Sequence, residues 1–151
     1  MGPGPLSLRG RALRLLSQRE HARAELQRKL APHARADEDL NAVLDALEAQ
    51  GFISQERSVE SVLQRRAGRM GAARIRQELQ AKGLPPEAVQ QAVAQLQGSE
   101  LERAGAVWRR KFGAPATDAQ SRAKQMRFLM ARGFSGDVAR RVLRDAGTQE
   151  E

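Results

Sequence analysis

An internal repeat dominates this sequence. Glu25, Leu26 and Lys29 in HARAELQRKL return as Glu78, Leu79 and Lys82 in ARIRQELQAKGL, 53 residues on. A looser third copy, KQMRFLMARGF, puts Leu129 and Arg132 in the same relative places after another 50 residues. Each copy leads into a segment with paired apolar positions four apart: Val43 and Leu47, Val89 and Val93, Val138 and Val142. That spacing lines one face of an α-helix, and no segment alternates as a strand would. Repetition at this period marks an array of supersecondary units that cannot each bury a hydrophobic face alone. The expected fold is all-α, with tandem three-helix repeats stacked into an elongated, curved array.

Punctuation supports the periodicity. Ser17 with Glu20, Ser99 with Glu102 and Thr117 with Gln120 fit the capping box, Ser54 and Ser135 read as simpler N-caps, and Pro85 and Pro86 suit a helix start. Gly51, Gly83, Gly113 and Gly133 fall where helices should end. The predicted helices are 8–16, 18–30, 38–50, 55–67, 71–82, 86–97, 100–112, 118–132 and 136–146. The expected divisions are an N-terminal extension and short helix (1–17), repeat 1 (18–67), repeat 2 (68–113) and repeat 3 (114–151). Leu26, Leu79 and Leu129 should occupy equivalent core seats, and Trp108, in stripe with Val107 and Phe112, reads as core. Glu25–Lys29 and Glu78–Lys82 have the spacing of i, i+4 ion pairs, each stabilising a helix by about 0.2–0.5 kcal/mol.

Composition then narrows function. With no cysteine, disulfides, thiolate metal sites and cysteine nucleophiles are excluded, which suits a reducing, cytoplasmic setting. No apolar stretch is long enough for a membrane span. His21 and His33 have no companion ligands at metal-site spacing, and no nucleotide-binding loop or nucleophile elbow is present, so neither a metal, a cofactor nor catalysis is expected. The net charge is +8, which attracts polyanions. The 22 arginines against 4 lysines have two readings, a forked anion-binding face or GC-biased codons, and composition does not choose between them.

Position is more informative. Arg57 to Arg76 holds six arginines and one acid, Glu60, around a GRMG junction. A charge run of this kind is either a solvated helix face or, next to the free N–H groups of a helix beginning near Gly71, an anion site. The candidate partner-binding or DNA-binding residues are Arg65, Arg66, Arg69, Arg74, Arg76, Lys82, Arg109, Arg110, Lys111, Arg122, Lys124 and Arg127. Asp37, Glu38, Asp39, Asp45 and Glu48 carry the opposite charge, so their helix should face away from a polyanion.

The run from Arg65 to Leu84, RRAGRMGAARIRQELQAKGL, resembles the most characteristic segment of the RecX family, with a basic helix end, a glycine junction and an R-I-x-x-E-L-x-x-K-G helix. LSQREHARAELQRKL and MRFLMARGFSGDVARRVL are similar to that family's opening and closing units. One departure stands out. Where the family commonly has D-D-x-R-F/Y-A, this chain has Ser54-Gln55-Glu56-Arg57-Ser58-Val59, which keeps Arg57 and loses the ring. The resemblance implies three tandem three-helix repeats; the chain is expected to be a monomer and not an enzyme. It further implies binding along the groove of the RecA–DNA filament, with inhibition of recombinase, ATPase and co-protease activities. The alternative reading is a helical DNA-binding protein that acts without a recombinase.

Overall fold

The computed structural model describes residues 6–148. Among them the chain forms nine α-helices: α1 (Leu8–Gln18), α2 (Arg23–Leu30), α3 (Leu40–Ala49), α4 (Gln55–Arg66), α5 (Ala72–Ala81), α6 (Pro86–Gln97), α7 (Glu100–Lys111), α8 (Ala119–Ala131) and α9 (Gly136–Thr148). A 3-10 turn, Ala31–His33, extends α2.

Most boundary signals act where the sequence puts them. Gly51, Gly83, Gly113 and Gly133 all have positive φ, between 71° and 95°, so each ends its helix in a conformation that a side chain would strain. Ser54 accepts from the Arg57 N–H and Ser135 from the Val138 N–H, while Pro85 and Pro86 open α6. The three proposed capping boxes fail. Ser17 lies within α1 and donates to the Arg14 carbonyl, so α2 begins at Arg23 rather than residue 18. Its cap is Ala22, whose N–H donates to the Glu25 carboxylate at 3.0 Å. Ser99 turns back to the Leu96 carbonyl, and Asp118 with Ser121, not Thr117 with Gln120, caps α8.

Three apolar clusters hold the helices. The first gathers Leu8, Ala12, Leu26, Leu30, Leu44 and Leu47 from α1–α3 with Ile53 from the turn that follows. The second is built on Val62, Ile75, Leu79, Val89, Val93 and Leu96 of α4–α6, and the third on Ala104, Val107, Trp108, Leu129, Val142 and Leu143 of α7–α9 with Phe134 from the loop between α8 and α9. Leu26, Leu79 and Leu129 are each 0% exposed, one at the heart of each cluster. Trp108 is core as expected, with its indole N–H donating to Gln125 at 2.9 Å. These clusters divide the chain one helix earlier than the boundaries at 67/68 and 113/114 expected from sequence. Helix α4 packs into the second unit and α7 into the third, because their apolar faces close over the helices that follow them.

The units are joined through their middle helices, α2, α5 and α8. The glycine turn after α8 meets the start of α5, where the Gly71 N–H donates to the Arg132 carbonyl at 2.7 Å and the Ala73 N–H to Gly133 at 3.2 Å. The glycine turn after α5 likewise meets the start of α2, with Gly83 packed closely against the Ala24 side chain but without a backbone hydrogen bond between them. An arginine of the preceding unit reaches an end carbonyl of the next middle helix in both places, Arg74 to Ala131 at 2.8 Å and Arg28 to Ala81 at 2.9 Å. A cation there complements the negative end of the helix dipole. Among the described residues, no hydrogen bond or ion pair joins the first unit to the third, so the units follow one another in a row.

Candidate binding cleft

Helix α4 buries Ser58 and Val62, which leaves Arg65 and Arg66 in its last turn pointing outward. Glu78 on α5 holds both, at 3.6 Å from Arg65 and 3.0 Å from Arg66. The chain then turns through Ala67–Met70, where Arg69 is exposed. Arg103 of α7 fixes this turn by donating to the carbonyls of Ala67 at 2.8 Å and Met70 at 2.7 Å, while Glu100 accepts from Arg103 at 2.5 Å and from the Ala72 N–H at 3.2 Å.

Helix α7 buries Ala104, Val107 and Trp108. Its last turn therefore presents Arg110 and Lys111 on the surface, and Arg110 donates to the Gly68 carbonyl across the junction. Helix α8 buries Gln125 and Leu129, which turns Phe128 and Arg132 toward α7. The Phe128 ring lies edge-on to Phe112 at 5.4 Å, with the Arg132 guanidinium 4.9 Å and the Lys111 ammonium 5.4 Å from its centre. Such contacts hold cations over a ring face without neutralising them.

The result is a trough across the junction of the second and third units. One part, ≈ 680 Å³, is lined by Gln64, Arg65, Arg66, Gly68, Arg69 and Arg110. A second part, ≈ 280 Å³, shares Arg69 and Arg110 with it and adds Val107, Lys111, Phe128 and Arg132. Six cations line the trough, and among the described residues Glu78 beside Arg65 and Arg66 is the one carboxylate paired with them. The polar lining consists of guanidinium groups, an ammonium and an amide. These groups are hydrogen-bond donors of the kind that suit anions.

Of the twelve residues proposed from sequence, the structure brings Arg65, Arg66, Arg69, Arg110 and Lys111 together here. Arg74 lines a neighbouring cleft with Arg66, but its guanidinium caps α8. Arg76, Arg109, Arg122, Lys124 and Arg127 are exposed and line neither part of the trough. Lys82 is corrected outright. Its side chain is 15% exposed and pairs with Glu25 of the first unit at 3.5 Å, tying two units together instead of facing outward. Arg132, Phe128 and Phe112 are additions. The repeat alignment already placed Arg132 level with Lys82, which was the available signal; nothing in the sequence brought the two rings to it.

Glu25 and Glu78 do not pair with the lysines four residues on. Glu25 is buried, which raises its carboxyl pKa, but the Arg19 hydrogen bond at 2.9 Å, the Ala22 N–H and the Lys82 ammonium outweigh burial and bring it down to about 2. His21 is also buried, which lowers its pKa, and the nearby Arg19 and Lys29 charges push it the same way. Its Nδ1–H donates to the Arg19 carbonyl at 3.0 Å, so Nε2 is free to accept from Lys29 at 3.4 Å.

Fold and trough together define a tandem three-helix-repeat protein with a cation-lined cleft where two units meet. Comparison with known proteins makes this specific. The second and third three-helix domains of RecX match residues 55–93 and 99–143, more than half of the chain. A protein of Leptothrix cholodnii named "Regulatory protein RecX" is 56% identical over 97% of this chain and 93% of its own length. One of the same name from Ralstonia nicotianae is 53% identical over 94% of this chain and 89% of its own length. The crystal structure of RecX from Lactobacillus salivarius superposes with a TM-score of 0.75 over 93% of this chain and 95% of that one, at 18% identity, a likeness of fold. The chain belongs to the RecX family. The matched domains begin at residues 55 and 99, in agreement with the divisions drawn by the apolar clusters.

Proposed function

We propose that this protein is a non-enzymatic regulator that lies along the RecA–DNA filament and restrains its recombinase, ATPase and co-protease activities. The observation that carries this reading is the trough, in which six cations with one paired carboxylate line a path across a unit junction. Guanidinium forks at Arg65, Arg66, Arg69 and Arg110 suit phosphate oxygens, which they can hold bidentately. A row of units matches an extended polyanion better than a single closed pocket would. The relatives' name supports a regulatory role. No helix among the described residues is long and apolar enough to cross a membrane, and the protein acts in this reading as a cytoplasmic monomer.

The test adds the full chain to RecA, ATP and single-stranded DNA and follows ATP hydrolysis. Hydrolysis falls at stoichiometric protein. Arg69→Glu, which alters a guanidinium with no protein partner among the described residues, requires roughly tenfold more protein for the same effect, the change expected when a phosphate contact becomes a repulsion. Hydrolysis that does not respond to the protein would refute the proposal.

A further inference from the structure

A second cationic site lies on the first unit, away from the trough. Helix α1 carries Arg11 and Arg14 one turn apart, and α2 with its 3-10 turn brings Lys29 and His33 opposite them. Buried Leu30 and half-buried Leu15 floor the resulting recess and exposed Leu6 flanks it; the recess has a volume of ≈ 170 Å³ and no acid in its lining. The equivalent cations of the other units do other work: Lys82 holds Glu25, and Arg132 lies over Phe128. Lys29 is spared such a role because Glu25 is already taken by Arg19 and Lys82, and its described polar contact is with the neutral His21 ring. Its charge is therefore uncompensated at the rim of the recess.

We infer that this recess is a docking site for an acidic protein segment that inserts one leucine-sized side chain between flanking carboxylates. Size and polarity select this occupant. Small-molecule pockets run to about 300–1,000 Å³, so a recess of ≈ 170 Å³ holds a single side chain and not a compact ligand. A nucleic-acid backbone has phosphates for the rim cations but nothing to cover the leucine floor. An acidic segment with one apolar residue satisfies both. The chain would then grip a nucleoprotein partner at two places, protein on the first unit and phosphates on the second and third. The inference stands independently of the trough, and its failure would leave the trough reading intact.

The probe is a short fluorescein-labelled peptide of aspartate and glutamate with one central leucine, measured by fluorescence polarisation against the full chain. A matched peptide with central serine binds roughly tenfold or more weakly, the factor that burying one leucine side chain contributes. Arg14→Glu/Lys29→Glu, both at exposed positions, loses at least as much, with its helical circular dichroism unchanged. Arg69→Glu retains full peptide affinity, which separates this site from the trough. Equal binding of the leucine and serine peptides would overturn the inference, as would full affinity in the Arg14→Glu/Lys29→Glu variant. Displacement of the peptide by octanoate or by an oligothymidylate at concentrations matching unlabelled peptide would overturn it too, by assigning the recess to a small amphiphile or to nucleic acid. If the double variant loses helicity, Arg14→Gln alone serves, with a weakening of several-fold expected and no change counting against the site.

Discussion

At the level of single residues, the repeated Glu-Leu-x-x-Lys element shows what pattern reveals and what it hides. The leucine was legible because burial on one helix face is a local, periodic property, and all three leucines are fully enclosed. The charged partners were not. An exposed i, i+4 pair stabilises by only a few tenths of a kcal/mol, so any buried long-range partner outcompetes it, and such partners leave no mark on local spacing. Glu25 is the clearest case, since its carboxylate satisfies its own helix N-terminus, Arg19 and Lys82 at once. Glu25→Gln keeps the shape and removes the charge, leaving Lys82 half-paired at a unit junction. We expect a loss of about 1–3 kcal/mol at neutral pH, read from urea unfolding. The pH dependence has a definite sign. The carboxyl falls from its ordinary 4.5 to about 2 on folding, so its contribution is complete above pH 4.5 and drains away as pH falls toward 2. The native chain loses stability across that window, and the Glu25→Gln variant shows a shallower loss. Equal slopes for the two proteins would place the acid sensitivity elsewhere.

At the level of helices, the four positive-φ glycines were readable because a helix end makes a local demand that glycine meets at least cost. Gly71 was not readable in the same way. Its φ is −81°, a value open to any residue, and its requirement comes from another unit. A Cβ placed there would lie 2.3 Å from the Gly133 carbonyl, inside the backbone contact that joins α5 to α8. Gly71→Ala therefore has to force two helix ends apart and break the Gly71–Arg132 hydrogen bond, at a cost we place at about 3 kcal/mol, the upper part of the range for overpacking. Trp108, the single tryptophan, sits in the third cluster and reports on that unit alone. In Gly71→Ala its fluorescence should change at lower urea than the circular dichroism of the whole chain, whereas the native protein should show the two transitions closer together. Coincident, unshifted transitions in the variant would mean that the contact tolerates a methyl group. The same logic explains the shifted start of α2. Ser17 was read as a cap from its spacing to Glu20, but α1 runs on through Gln18, and the cap passes to Ala22 and Glu25.

For the whole molecule, the number of units was legible from the repeat, and their divisions were displaced by one helix. Repeat period fixes how many units exist; which neighbouring helix completes each core depends on packing across loops. The two junctions are also built differently, and this has consequences for how the chain opens. Between the second and third units, backbone hydrogen bonds from Gly71 and Ala73 are reinforced by Arg103 and Glu100. Between the first and second, the described polar contacts all come from side chains: Lys82 to Glu25, Arg57 to Glu20 at 2.8 Å and to the Gly51 carbonyl, and Arg28 to Ala81. Partly exposed ion pairs contribute about 0.2–1 kcal/mol each and weaken as salt screens them, and at 1 M salt the screening length falls to about 3 Å. Arg57–Glu20, with side chains 49% and 30% exposed, is such a pair and gives a salt-sensitive contribution of up to about 1 kcal/mol, or about fivefold in an opening equilibrium, while the buried Lys82–Glu25 pair is screened far less. Amide hydrogen exchange should therefore speed up several-fold in α1–α3 between low salt and 1 M salt, while α5 and α8, bound through their backbones, keep their protection. An acceleration spread evenly over all three units, or confined to α7–α9, would show that the first junction is not the weaker one.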